Sequence, residues 1–212
     1  MSILVCHYVD GSPFARMLRV MARELGLAME EREVIDFPPA PAFFEVNPLG
    51  QVPVLMVDGA PHFPTEIAME AMGDKAATFQ EVPLPFRLSA YPLNDRQLLA
   101  VILALGDQIA GIRYRIWAGL KPVGPNRLGF DMDARGRERV TATLDWLESR
   151  LLSDGFLSEG LSLPDIAFAC LILWTESRGP IAWRGRPRLE TLVDRLAGRK
   201  SFRDTAPRPL AI

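Results

Sequence analysis

The sequence predicts an α/β domain followed by an all-helical one. Three observations carry this. Short apolar runs alternate with helical periodicity over residues 1–72, a Pro-rich stretch lies at 83–92, and every apolar pattern beyond it has helical spacing. The strand and helix signals of the first part come in the order βαβαββα.

Ile3-Leu4-Val5-Cys6 reads as a buried strand. Ser12-Pro13-Phe14 then opens a helix, because Ser is a good N-cap and Pro lacks only an N–H that the first turn leaves unpaired. Phe14, Met17, Leu18, Met21 and Leu25 follow at helical spacing, and Gly26 supplies the stop. Arg16, Arg19 and Arg23 occupy another face, which reads as solvated or as an interface. Residues 31–35 form the second strand candidate, Phe37-Pro38-Pro39 a turn, and residues 42–46 a short helical piece. The third strand, 52–57, has proline as its second residue, which marks an edge, a bulge or a cis turn. Asp58-Gly59 is a hairpin signal, residues 60–63 return as a fourth strand, and Thr65 reads as the cap of the next helix.

Beyond the Pro-rich stretch, residues 98–105 are continuously apolar. Val140, Leu144, Leu147 and Leu151 recur at i, i+4, i+7 and i+11, and Leu189, Leu192, Val193 and Leu196 form a stripe after Pro187. The boundaries expected from these patterns are a first domain at 1–76, a linker at 77–92 and a helical domain at 93–212.

Composition narrows the function. The 212 residues hold 24 Lys and Arg against 26 Asp and Glu, a formal net charge of -2, so neither a phosphate-tracking surface nor a nucleic-acid partner is expected. His7, His62, Cys6 and Cys170 are too scattered for a metal site of common spacing, and no CxxC dithiol is present. Both cysteines read as core residues and fit a reducing, cytoplasmic setting. The longest apolar run, 166–174, is far short of the ~20 residues a membrane helix requires, so no membrane partner is expected.

Four pieces then fall in order: Ser-Pro-Phe at a strand-to-helix junction, VNPLGQVPVL at 46–55, a DG hairpin followed by Thr65-Glu66, and LSLPDIAFA at 161–169, where Ser162 and Asp165 have capping-box spacing. Together they resemble the cytosolic glutathione S-transferase family, of the bacterial, serine-type kind, and the tail RPRLETLVDRLAGRKSFRDTAP is similar to that family's closing helices. The resemblance covers essentially the whole chain. It implies a thioredoxin-like N-terminal domain that binds glutathione as co-substrate, with no metal. The helical C-terminal domain would help form the pocket for a small hydrophobic electrophile. It also implies a homodimer and a role in detoxification.

The resemblance makes Ser12 the catalytic residue and places Phe14, Gln51, Val52, Pro53, Glu66 and Ile67 around glutathione. Pro53 would be cis, with the Val52 backbone offered to the cysteinyl part of the ligand in the manner of strand addition. The chemistry has its own rationale. A free thiol is only a few per cent ionised at neutral pH, and a hydroxyl donor beside a helix N-terminus favours the thiolate. Lowering a thiol pKa by one unit corresponds to ~1.4 kcal/mol, within reach of one hydrogen bond. Taken alone, Ser12 is also a plain N-cap, Gln51 a solvated turn residue and Glu66 a first-turn acid complementing the helix dipole. Ile67 departs from the family, which carries Ser or Asp there. The backbone N–H remains for the γ-glutamyl carboxylate, but the lost side-chain contact is expected to weaken binding by ~1 kcal/mol or more.

Tyr8, Phe37, Ile112, Tyr114 and Trp117 fall on segments that line the second substrate's site in similar proteins. The expected reaction is attack of the glutathione thiolate on a small apolar electrophile. Two alternatives remain: a glutathione-dependent isomerase or dehalogenase, and a non-catalytic binding module on the same fold, which Ile67 favours. Thiol transfer is disfavoured because Ser12 stands where a nucleophilic cysteine would be.

Overall fold

The computed structural model describes residues 4–35, 40–158, 160–179 and 181–209. Its first part is β1 (Leu4–Tyr8), α1 (Pro13–Glu24), β2 (Met29–Glu33), α2 (Phe43–Val46), β3 (Val54–Val57), β4 (Ala60–His62) and α3 (Thr65–Ala76), the predicted βαβαββα order. Two short 3-10 turns at Leu84–Phe86 and Leu88–Ala90 occupy the Pro-rich stretch. The rest is helical: α4 (Leu93–Trp117), α5 (Met132–Arg150), α6 (Leu163–Arg178), α7 (Pro187–Ala197) and α8 (Lys200–Arg203).

The four strands form one mixed sheet in the order β2-β1-β3-β4. β1 is parallel to β2, and β3 is antiparallel to both β1 and β4. The register fixes which loops meet. His7 lies opposite Val54 and Leu55 opposite His62, so the end of β1, the start of β3 and the end of β4 share one end of the sheet. Ser12, the 51–53 turn and the start of α3 are therefore brought together by topology alone. The predicted strands were right in kind and displaced at their ends: β2 starts two residues before 31, and β3 starts after Pro53 because proline has no ladder donor. The β2 segment is MEERE, and its charges suit an edge strand, where they discourage pairing with another chain.

α6 is the centre of the helical part. Every residue from Leu163 to Thr175 except Leu173 is buried, as expected for a helix that is apolar all round. The apolar run 166–174 is thus core, and among the described residues no helix is long and apolar enough to cross a membrane. All eight predicted stripe residues of the 140–151 and 189–196 segments are buried. At Gly106 of α4, an added Cβ would meet Leu171 of α6 at 2.7 Å and the Phe14 ring at 2.9 Å, so only glycine lets α4 approach α1 and α6 this closely.

Of the two readings of the arginine face of α1, the interface holds for Arg16 and Arg19. Arg16 and Arg19 are only 6% and 7% exposed. Arg16 donates to the Phe202 carbonyl at 2.7 Å and to Thr205 Oγ1 at 3.4 Å, which ties α1 to the C-terminal segment. Arg19 and Arg23 both pair with Glu31 of β2, at 2.8 and 2.5 Å. The face is an interface at Arg16, which residues 202–205 cover across the length of the chain, and at Arg19, which Glu31 covers, while Arg23 stays exposed. Glu24 makes a second tie, accepting from Arg199 Nη2 at 2.7 Å and from the Ser201 hydroxyl. Burial pushes its carboxyl up, but those hydrogen bonds and the Arg199 charge outweigh burial and hold it below its ordinary value.

Candidate functional site

Ser12 caps α1 from an extended conformation, its Oγ accepting from the Ala15 N–H at 3.2 Å. Its own N–H donates to the Val9 carbonyl, 2.9 Å away, which closes the turn after β1. The hydroxyl proton has no acceptor among the described residues, and the side chain is only partly buried. The N-cap reading is therefore correct and does not exhaust the residue. One lone pair serves the helix while the O–H remains available to an anion.

The turn ahead of β3 is held by Asn47, which sequence reasoning missed. Its fully buried side chain donates to the Gln51 carbonyl at 2.7 Å and accepts from the Leu49 N–H at 3.0 Å. An Asn-Pro pair ahead of a glycine was the available signal, since Asn bonds nearby backbone in turns. Gly50, at φ +60, follows in the left-handed region. The Val52-Pro53 peptide is cis. Among the described residues the N–H and C=O of Val52 have no hydrogen-bond partner, although the residue is half-buried. An unpaired donor and acceptor at a sheet end form a short strand-like template. Gln51 is exposed, and Pro53 is buried beneath the turn.

At α3 the cap differs from the expectation. Pro64 is the N-cap, after a second cis peptide at Phe63-Pro64, and Thr65 is the first helical residue. Pro64 supplies no side-chain acceptor, so the N–H groups of Thr65, Glu66 and Ile67 face the site end unpaired, an arrangement that suits a carboxylate. Arg96 of α4, another residue that sequence reasoning missed, places Nη2 at 3.5 Å from Glu66 Oε1 and 3.2 Å from Glu70 Oε2. It thus links α4 to the carboxylates of the first two turns of α3. No local signal could reveal a partner 26 to 30 residues away. The Ile67 side chain is 43% exposed and borders a shallow groove of about 530 Å³ along α3, together with Val57, His62 and Glu70.

Phe14 is half-buried against α4, its ring tip against Gly106, so it joins the two parts of the chain directly behind Ser12. Tyr8 lies beneath the Arg19 guanidinium, 4.3 Å from cation to ring centre, and burial pushes its phenol pKa up. Ile112 packs on the core, whereas Tyr114 and Trp117 are 55% and 63% exposed at the far end of α4. Phe37 lies outside the described residues. A cavity of about 250 Å³ between the 84–92 segment and residues 152–158 involves none of the predicted site residues.

Cys6 and Cys170 are both buried and free. Burial pushes each thiol up to about 12, so neither is a nucleophile at neutral pH. Among the described residues no cluster of three or more His, Cys, Asp or Glu could hold a metal. The site end therefore offers a hydroxyl donor, an unpaired backbone edge and a helix N-terminus. Such groups can hold and polarise a ligand.

Comparison with known proteins agrees with this geometry. The model of the glutathione S-transferase N-terminal domain matches residues 11–72, and that of the C-terminal domain matches residues 133–195. The Escherichia coli (strain K12) protein YibF, described as an uncharacterized GST-like protein, is 30% identical over 92% of this chain and 95% of its own. Among solved structures, a glutathione S-transferase of Methylobacterium radiotolerans in complex with glutathione sulfonate superposes with a TM-score of 0.79. It is 24% identical, over 99% of this chain and 97% of that one. A Methylobacillus flagellatus glutathione S-transferase with bound glutathione gives a TM-score of 0.73 at 23% identity, over 97% of this chain and 100% of that one. The resemblance carried by Ser-Pro-Phe, the Val52-Pro53 turn and the Ser162–Asp165 box thus holds along the length of the chain, which belongs to the glutathione S-transferase family.

Proposed function

We propose that the protein is a glutathione transferase that activates the glutathione thiol as a thiolate for attack on a small hydrophobic electrophile. One observation carries the reading. The free Ser12 hydroxyl proton, the unpaired Val52 backbone and the unpaired N–H groups of α3 all lie at the same end of the sheet. A γ-glutamyl tripeptide is complementary to that set. Its cysteinyl backbone pairs with Val52, flanked by Pro53 and Gln51. Its γ-glutamyl carboxylate meets the N–H groups of Glu66 and Ile67, and its ammonium meets Glu66, positioned by Arg96. The sulfur then lies by Ser12, with Phe14 behind it. Ser12 donates to the thiolate and is not itself a nucleophile, and the N-terminus of α1 adds its partial positive charge.

The electrophile enters between the two parts of the chain, where Tyr8, Ile112, Tyr114 and Trp117 supply apolar surface, and Phe37 belongs to the same reading. The sulfur forms the new bond while the leaving group departs with its electron pair; holding both reactants in one cleft supplies proximity. The same reading takes 1–76 and 93–212 as the domains about the 77–92 linker, the assembly as a homodimer and the setting as cytoplasmic, where the two cysteines remain thiols. The similar structures bound to glutathione and to glutathione sulfonate support the ligand class.

The test is conjugation of glutathione to 1-chloro-2,4-dinitrobenzene. Wild-type protein is expected to show glutathione-dependent turnover, and Ser12→Ala to lose about tenfold or more in kcat/KM near neutral pH, the effect of one pKa unit. If neither turnover nor equilibrium binding of glutathione is found, the reading fails. The protein is then a binding module on this fold, the alternative that Ile67 favours.

A further inference from the structure

We propose that the electrophile carries an anionic group, recognised by Arg178 and Arg113; this rests on the transferase reading above and names its substrate class. The inference starts from where two unpaired cations lie. The Arg178 guanidinium, at the end of α6, abuts the backbone next to Ser12: a Cβ on Gly11 would lie 3.6 Å from its Nε and Nη2. Its one hydrogen bond among the described residues goes to a neutral acceptor, the Arg208 carbonyl at 3.0 Å. The carboxylate of that loop, Asp10, is already taken. It accepts from the Arg208 N–H at 2.7 Å and lies 3.4 Å from the Arg208 guanidinium, which also pairs with Glu33. Arg178 is thus a half-buried cation against the backbone next to Ser12, with no carboxylate of its own among the described residues.

Arg113 has the same character on α4. It is half-buried in α4 and has neither an ion pair nor a hydrogen bond among the described residues. Its place follows from helix register. α4 and α6 touch at Gly106 and Leu171, against Phe14 at the start of α1. Arg113 and Arg178 each lie seven residues further along, two turns on and on the same face as that contact. The two cations thus occupy matching register positions on two helices that meet at this contact.

The segment of chain that holds Arg113 has the same sign. Residues 112–139 hold seven Lys and Arg against three Asp and Glu, in a chain whose formal net charge is -2. Tyr114 and Trp117 on the same stretch offer apolar surface. A partly desolvated guanidinium without a counter-ion is costly and is stabilised by a carboxylate that arrives with the substrate. An apolar electrophile with a carboxylate or comparable anion satisfies both features; a neutral one leaves the two cations unpaired.

The experiment compares 4-chloro-3-nitrobenzoate with its methyl ester as partners for glutathione. In both, the sulfur bonds to the ring carbon, chloride leaves with the C–Cl electron pair, and the thiol proton passes to solvent. Each kcat/KM is divided by the uncatalysed rate, because the ester is intrinsically more reactive. Wild-type protein is expected to favour the benzoate by about tenfold or more, the effect of one charge-assisted hydrogen bond. Arg178→Met and Arg113→Met should each lower that ratio, Arg178→Lys should retain most of it, and Arg188→Met on α7 should leave it as in the wild type. Loss of activity on both substrates in equal proportion would show that the arginines only hold structure, and would overturn the inference. Turnover of the ester without preference for the benzoate overturns the inference and leaves the transferase reading intact. No turnover of either overturns the inference, and the assay with 1-chloro-2,4-dinitrobenzene then decides the transferase reading.

Discussion

Two serines start helices in this protein, and they show how one local motif serves two ends. Ser162 caps α6 with Pro164 in the first turn, and Ser12 caps α1 with Pro13 there. Ser162 is fully buried. Its hydroxyl donates to Asp165 Oδ2 at 2.6 Å and accepts from the Asp165 N–H at 3.4 Å, while Asp165 also accepts from the N–H groups of Ser162 and Phe156, at 2.9 and 2.8 Å. Burial pushes the Asp165 carboxyl pKa up in spite of those bonds. At Ser12 the residue three further on is Ala15, which offers no carboxylate, so the hydroxyl proton stays unclaimed. A capping box closes on itself and stabilises the core. An N-cap without its acidic partner, at the end of a sheet, is open to a ligand.

The most drastic way to break the comparison is to open the closed cap. Asp165→Ala leaves the Phe156 and Ser162 N–H groups and the Ser162 hydroxyl without their acceptor in the core, so it should cost about 3 kcal/mol or more. Urea unfolding checks this, and a change below about 1 kcal/mol would deny the box its structural part. At the open end, Ile67→Ser restores a hydroxyl beside the α3 N–H groups and is expected to tighten glutathione binding about fivefold, or ~1 kcal/mol. Calorimetric titration tests this, and unchanged affinity would place the γ-glutamyl carboxylate elsewhere.

A smaller effect concerns the tie between the halves. Glu24 is held below its ordinary value of 4.5, so its contribution is present above that range and is lost as pH falls through the lowered folded value. Glu24→Gln should therefore flatten the acid limb of the stability profile while lowering stability slightly near neutral pH. A profile that keeps the wild-type acid slope would assign that slope to other carboxylates.

What was legible in the sequence was local. Ser-Pro at a helix start, Asp58-Gly59 at a hairpin and the Leu144–Leu147 stripe each state their structure within one or two turns of chain. The cis Val52-Pro53 turn was legible through resemblance, because a proline at the start of a strand admits an edge, a bulge or a cis turn. What the sequence concealed was every contact made at long range. Arg16 reads as a surface cation until residues 202–205 cover it, and Arg96 reveals itself only once α4 lies beside α3. Gly106 passes as a neutral helix residue until Phe14 and Leu171 press on it. Thr65 was read as a cap because its hydroxyl suits one, whereas the chain places Pro64 there and leaves the first N–H groups of α3 bare.

The central claim is that the open cap stabilises a bound thiolate and the closed one does not. The most direct measurement is the thiolate absorbance of bound glutathione followed against pH, for wild type, Ser12→Ala and Ser162→Ala. The account predicts that glutathione ionises about one unit or more below its free value on the wild type. It also predicts that Ser12→Ala loses the shift and that Ser162→Ala keeps it on whatever protein remains folded. A wild-type shift that survives in Ser12→Ala would contradict it and move thiolate stabilisation to another group, Arg178 first among them.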